Sequence, residues 1–124
     1  MEVYKAITEE CRSKLLKMKQ ELLHRVRVNQ LQFSQAEKSG DEIDQTVSQL
    51  EEHSLLISQE RMRTQLLEIE FALARIEKGL FGICEETDEL IEIERLRALP
   101  YTRVSIEGAE LREKMSQRYA KFSS

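Results

Sequence analysis

A chain of 124 residues with 40% hydrophobic, 34% charged and 6% aromatic side chains, one proline and four glycines is at most one ordinary domain. This composition suits long amphipathic helices better than a sheet. The net charge of −4 is uneven: residues 1–36 carry seven basic and four acidic side chains, residues 37–94 five and sixteen, and residues 95–124 seven and three. So acidic a middle repels phosphates, which argues against duplex DNA as its partner and against direct sequence-specific DNA binding.

Cys11 and Cys84 form no disulfide framework. The N-terminus lacks the apolar run of a signal peptide, and no stretch approaches 18 apolar residues. The expected compartment is the cytoplasm, with no membrane contact.

In chain order, Tyr4, Ile7, Cys11, Leu15, Met18, Leu22, Val26 and Phe33 fall at helical steps, widened by Leu16 and Leu23. No Gly or Pro interrupts them. The spacing predicts one helix from about residue 3 to about residue 36, about 50 Å long at about 1.5 Å per residue. Asn29 and Gln30 weaken its stripe near the end. Ser39-Gly40 is the strong break, and Asp41 and Asp44 follow at once, where a helix N-terminus favours negative charge. A second helix then carries Ile43, Val47, Leu50, Leu55, Met62, Leu66, Ile69, Leu73, Ile76 and Leu80, and Gly79 and Gly82 end it. From Met62 its steps are those of a coiled-coil seam. Two such helices joined by a few residues are expected to run antiparallel, because neither buries its stripe alone.

After Gly82 the chain becomes short-paced and acidic through Ile83 to Ile91. Pro100 breaks it, Tyr101 to Ile106 reads as a short extended piece, and residues 107–121 form a last amphipathic helix. The expected fold is all-α: an antiparallel coiled-coil hairpin over residues 1–80 with an acidic tip at 39–46, on a small base over residues 81–124. The base core is expected to be Ile91, Ile93, Leu96, Leu99, Val104 and Ile106.

The run Gly82-Ile83-Cys84-Glu85-Glu86-Thr87, then Ile91-Glu92-Ile93-Glu94-Arg95-Leu96-Arg97-Ala98-Leu99-Pro100, then Ser105-Ile106-Glu107-Gly108 resembles the DksA/TraR family. That family holds a four-cysteine zinc site in its base, and its hairpin tip reads Asp-x-x-Asp-x-Ala. Asp41, Asp44 and Thr46 stand at the tip positions, and the match from tip to Cys84 needs no gap. The resemblance therefore spans nearly the whole chain.

The resemblance implies a bacterial transcription regulator that binds RNA polymerase. It would insert the hairpin into the secondary channel and place the acidic tip near the active site, changing promoter-complex stability. Asp44 first and Asp41 second would carry the tip activity, with Thr46 shaping it, and Arg61 would contact the channel rim. Judged without the resemblance, Asp41 and Asp44 are helix caps and Arg61 is a solvated helix residue.

The family pattern is broken at the zinc positions, which here are Cys84, Thr87, Ser105 and Gly108. One thiolate among four positions is a poor tetrahedral set, so no bound zinc and no cofactor are expected. Family members that share a guanosine tetraphosphate site with RNA polymerase use basic residues where this chain has Glu68, Leu99 and Ala109. That site is therefore not expected here.

His24 and His53 have no partners at catalytic or metal spacing, and no serine or cysteine has a base placed to activate it. An enzyme is not expected. Two other functions compete: a coiled-coil adaptor that dimerises through the stripe, and a transcript-cleavage factor of the Gre type. Ser39-Gly40 argues against the first by satisfying the stripe within one chain, so a monomer is expected. The C-terminal motifs argue against the second.

Overall fold

The structure, a computed structural model, describes the backbone of residues 2–36 and 42–122, with their side chains except those of residues 33, 35, 36, 42–48 and 122. Among the described residues four helices follow in order: α1 (Glu2–Ala36), α2 (Glu42–Lys78), α3 (Ile93–Ala98) and α4 (Ile106–Phe122). Among the described residues there is no strand, and Ile83 and Leu90 make one isolated antiparallel bridge. The fold is all-α, with α1 and α2 as an antiparallel coiled-coil hairpin and a zinc-finger-like base that carries α4.

The helices follow from the sequence. Neither α1 nor α2 contains Gly or Pro, the residues that cost most in a helix interior. The end of α2 is set by Gly79, whose φ of 72° is the left-handed conformation that glycine adopts without strain. Gly79 N–H donates to Ile76 O at 3.1 Å and Leu80 N–H to Arg75 O at 2.9 Å. These two bonds close the last carbonyls of the helix as a Schellman motif. The chain has then left the helix, so Leu80 is 52% exposed rather than part of the seam.

Two compact units are present, Met1–Leu16 with Glu70–Ser124, and Lys17–Ile69. In the first, Ile7, Cys11 and Leu15 of α1, Ala72 and Ile76 of α2, and Phe81, Cys84, Ile91, Leu96 and Val104 are buried. Each fully buried leucine or isoleucine contributes about 1.5–3 kcal/mol of transfer free energy, so this cluster is what organises the base. Polar ties add direction: the Tyr4 hydroxyl donates to Ile91 O, and Arg75 Nη2 donates to Tyr101 O at 3.3 Å. In the second unit, Leu22, Asn29, Met62 and Ile69 are buried. Asn29 Nδ2 donates to Leu55 O at 3.2 Å, from α1 to α2.

Several expectations change in detail. Ile91, Leu96 and Val104 lie in the core, but Ile106 is 53% exposed. The piece expected to be extended, from Tyr101 to Ile106, is a bonded loop up to Ser105, and Ile106 opens α4: Thr102 N–H donates to Leu99 O at 3.0 Å and Thr102 Oγ1 to Val104 O at 3.0 Å. Leu16 and Leu23, expected to widen the α1 stripe, are exposed.

Candidate functional site

Two places hold the residues singled out in the sequence. Of the residues expected at a hairpin tip, Asp41 lies outside the described residues. Asp44 and Thr46 fall within the first turns of α2, but their side chains also lie outside the described set. Arg61 and Arg63, farther along α2, are exposed, as are His24 and His53.

The base is described in atomic detail. Cys84 is fully buried, and its Sγ accepts the Ser105 N–H at 3.2 Å and the Ser105 Oγ–H at 3.4 Å. Ser105 is also the cap of α4: its Oγ accepts the Gly108 N–H at 3.0 Å, three residues along, as an N-cap serine does. Asp88 N–H donates to Cys84 O at 2.9 Å, and Glu85 N–H to Arg103 O at 2.9 Å, fixing the loop around the sulfur. Asp88 makes that turn with φ of 58°, a left-handed conformation that aspartate tolerates better than most residues. Burial pushes the Cys84 thiol up, but hydrogen bonds from Ser105 and Thr87 outweigh it and hold the group at about 6.

Three of the four positions matched to zinc ligands, Cys84, Ser105 and Gly108, thus meet at the start of α4. Their chemistry differs from that of a four-cysteine zinc site. A Cβ built on Gly108 would lie 2.5 Å from Cys84 Sγ and 3.1 Å from Val104 Cβ, so the corner where a fourth thiolate would stand is closed. Among the described residues, no group of three or more His, Cys, Asp and Glu is placed to hold a metal ion. The donors themselves, one sulfur and two hydroxyls, are wrong for structural zinc.

Around this plug lie contacts that the sequence pattern did not reveal. Arg112 Nε reaches Glu86 Oε1 at 2.7 Å, and its Nη2 reaches Glu85 Oε2 at 2.9 Å. The two glutamates hold the guanidinium well in its charged form, raising it above its ordinary value against a smaller effect of burial. Arg103 stacks over Phe71 at 4.8 Å, which covers part of an aromatic ring otherwise exposed on α2. These pairs lie 26, 27 and 32 positions apart, so no periodicity announces them.

The family model for the prokaryotic dksA/traR C4-type zinc finger matches residues 79–114, the segment that carries this plug. A curated relative, the RNA polymerase-binding transcription factor DksA of Caulobacter vibrioides, is 36% identical over 105 residues, spanning 83% of this chain and 73% of the relative. The chain belongs to the DksA/TraR family. General stress protein 16O of Bacillus subtilis is 30% identical over 117 residues, 87% of this chain and 69% of that protein. Among solved structures, transcription factor DksA2 from Pseudomonas aeruginosa superposes with a TM-score of 0.85 at 31% identity, covering 90% of this chain and 87% of the other. The DksA/TraR likeness therefore extends well beyond the zinc-finger segment. Among the described residues, no helix is long and apolar enough to cross a membrane.

Proposed function

We propose that this chain is a cytoplasmic transcription regulator that binds RNA polymerase. It inserts its hairpin into the secondary channel and acts there through an acidic tip, without zinc. The observation that carries the reading is identity of 36% across 83% of the chain with a DksA named for RNA polymerase binding. The coiled-coil hairpin, a fold shared with the transcription factor DksA2, supports it.

The working residues proposed are Asp44 and Asp41, with Thr46 shaping the tip and Arg61 gripping the rim. A carboxylate pair suits a channel lined by Arg and Lys near a catalytic Mg²⁺, because charge-assisted hydrogen bonds are short and strong. Nothing in the proposed action makes or breaks a bond, so the protein works as a modulator of promoter complexes and not as an enzyme. Glu68, Leu99 and Ala109 supply no cation, so a shared guanosine tetraphosphate site is not included in the proposal. The zinc-free part of the reading is supported by the donor set Cys84, Thr87, Ser105 and Gly108, which offers one sulfur.

The test is the lifetime of the open complex at a ribosomal RNA promoter with purified RNA polymerase. Wild type is expected to shorten it, while Asp44→Asn, which keeps shape and removes charge, still binds polymerase and leaves the lifetime unchanged. If neither protein binds polymerase, the reading falls. Cleavage of backtracked RNA would instead indicate a Gre-type factor.

A further inference from the structure

Helix α4 is held in an unusual way. It is 17 residues long and amphipathic, with Leu111, Met115 and Tyr119 at four-residue steps, yet none of these side chains is buried. Ile106 at its start is exposed as well. Among the described side chains α4 buries no large apolar group, so they add little of the packing that ordinarily supplies most helical stability in proteins. Polar ties to the rest of the base start from its first two turns. Ser105, the cap, bonds Cys84; Ile106 N–H donates to Glu92 Oε2 at 3.1 Å; and Arg112 spans Glu85 and Glu86.

The placement of these ties is informative. A four-thiolate zinc site would join the loop at positions 84 and 87 to the start of α4 at positions 105 and 108. Ser105 on Cys84, and Arg112 on Glu85 and Glu86, join the same two segments. Arg112 forms both bonds with separate nitrogens of one planar fork, a geometry that an ammonium group does not reproduce.

We infer that the Arg112–Glu85–Glu86 clamp, working beside the Ser105 cap, takes over from a metal the job of fastening α4 to the loop. This inference rests on the zinc-free part of the proposed function and on no step at RNA polymerase. It makes the fastening of α4 sensitive to ionic strength and indifferent to chelators. The carboxylates are partly exposed, at 40% for Glu85 and 28% for Glu86, so salt can reach and screen the pair.

Amide hydrogen exchange of the full chain reads the fastening directly. In wild type, protection of the α4 amides is expected to fall about fivefold between low and molar sodium chloride, while protection in the α1–α2 seam changes less. A chelator such as EDTA is expected to change neither. Arg112→Gln should show the lowered α4 protection already at low salt and lose the salt response. Exchanging the charges, Arg112→Glu with Glu86→Arg, should recover part of both. If α4 protection ignores salt and matches that of Arg112→Gln, the clamp is overturned while the zinc-free reading stands. If EDTA strips α4 protection, both fall together. Neither result bears on polymerase binding, which the open-complex assay reads independently.

Discussion

Asn29, 6% exposed in the seam of the hairpin, donates its side-chain amide to the backbone carbonyl of Leu55 on the facing helix at 3.2 Å. A polar residue at a seam position costs stability and fixes which residues face each other. The Leu55 carbonyl already belongs to the hydrogen-bond ladder of α2, so it is not orphaned if Asn29 is lost. Beside Asn29 lies a surface depression of about 270 Å³, lined by His24, Val28, Ser58 and Met62 among others, which gives a larger side chain room. Asn29→Leu is therefore expected to stabilise the chain by about 1 kcal/mol, or roughly 4 °C in thermal midpoint followed by circular dichroism. A lower midpoint would mean that the single bond outweighs the apolar gain.

Gly82 and Tyr4 give a second prediction, in the base. Gly82 has φ of 85°, and a Cβ added there would lie 2.8 Å from Tyr4 Cε1. The ring is held by its hydroxyl on Ile91 O, and Ile91 N–H returns to Gly82 O at 2.7 Å, so ring and turn are locked together. Gly82→Ala is expected to cost about 2–4 kcal/mol, from the left-handed backbone and the displaced ring. Tyr4→Phe keeps the ring and removes one bond, so it should cost about 1 kcal/mol. Urea unfolding of the two variants measures both, and equal losses would contradict the role given to the turn.

The Cys84 thiol gives a pH dependence with a definite sign. Its folded value of about 6 lies below its ordinary value of 9.0, so the folded state releases the proton more readily than the unfolded one. The stabilisation is complete above pH 9 and is lost as pH falls through 6. Between those limits the unfolding free energy should rise with pH, by up to about 1.4 kcal/mol per unit where one proton separates the two states. Denaturant titrations across pH 6 to 9 would show the slope, and Cys84→Ser should flatten it. Thiolate absorbance near 240 nm should appear with a midpoint near 6 in the native protein.

What the sequence made legible was whatever repeats. The steps of three and four from Tyr4 to Val26 and from Met62 to Ile76 placed α1 and α2, and Gly79 marked the end of α2. Ile106 was expected inside because it is apolar, but it opens a helix whose cap, Ser105, points its hydroxyl at Cys84, and so it faces out. Asn29 was read as a weakness in the stripe because periodicity scores polarity and takes no account of a facing carbonyl. The residues matched to zinc ligands came from the family pattern. Their sulfur–hydroxyl chemistry, and the Arg112 clamp 26 and 27 residues away, needed coordinates.

Gly108 offers the sharpest test of the closed corner. It stands at the third position of α4, where alanine would gain about 1 kcal/mol of helix propensity over glycine. Its Cβ, however, would meet Cys84 Sγ at 2.5 Å, with Val104 Cβ at 3.1 Å and Glu86 Cβ at 3.4 Å on other sides. The sulfur has a single side-chain torsion with which to retreat, and moving it gives up two donations from Ser105. Overpacking of this kind costs about 1–3 kcal/mol and should outweigh the propensity gain, so Gly108→Ala is expected to lower the thermal midpoint. Removing the sulfur should reverse the sign. In a Cys84→Ala background the clash disappears, and Gly108→Ala is expected to be neutral or stabilising there. The double-mutant cycle between positions 84 and 108 isolates that coupling. A cycle that closes with no interaction energy would show that the corner is open and that the two residues do not share the space.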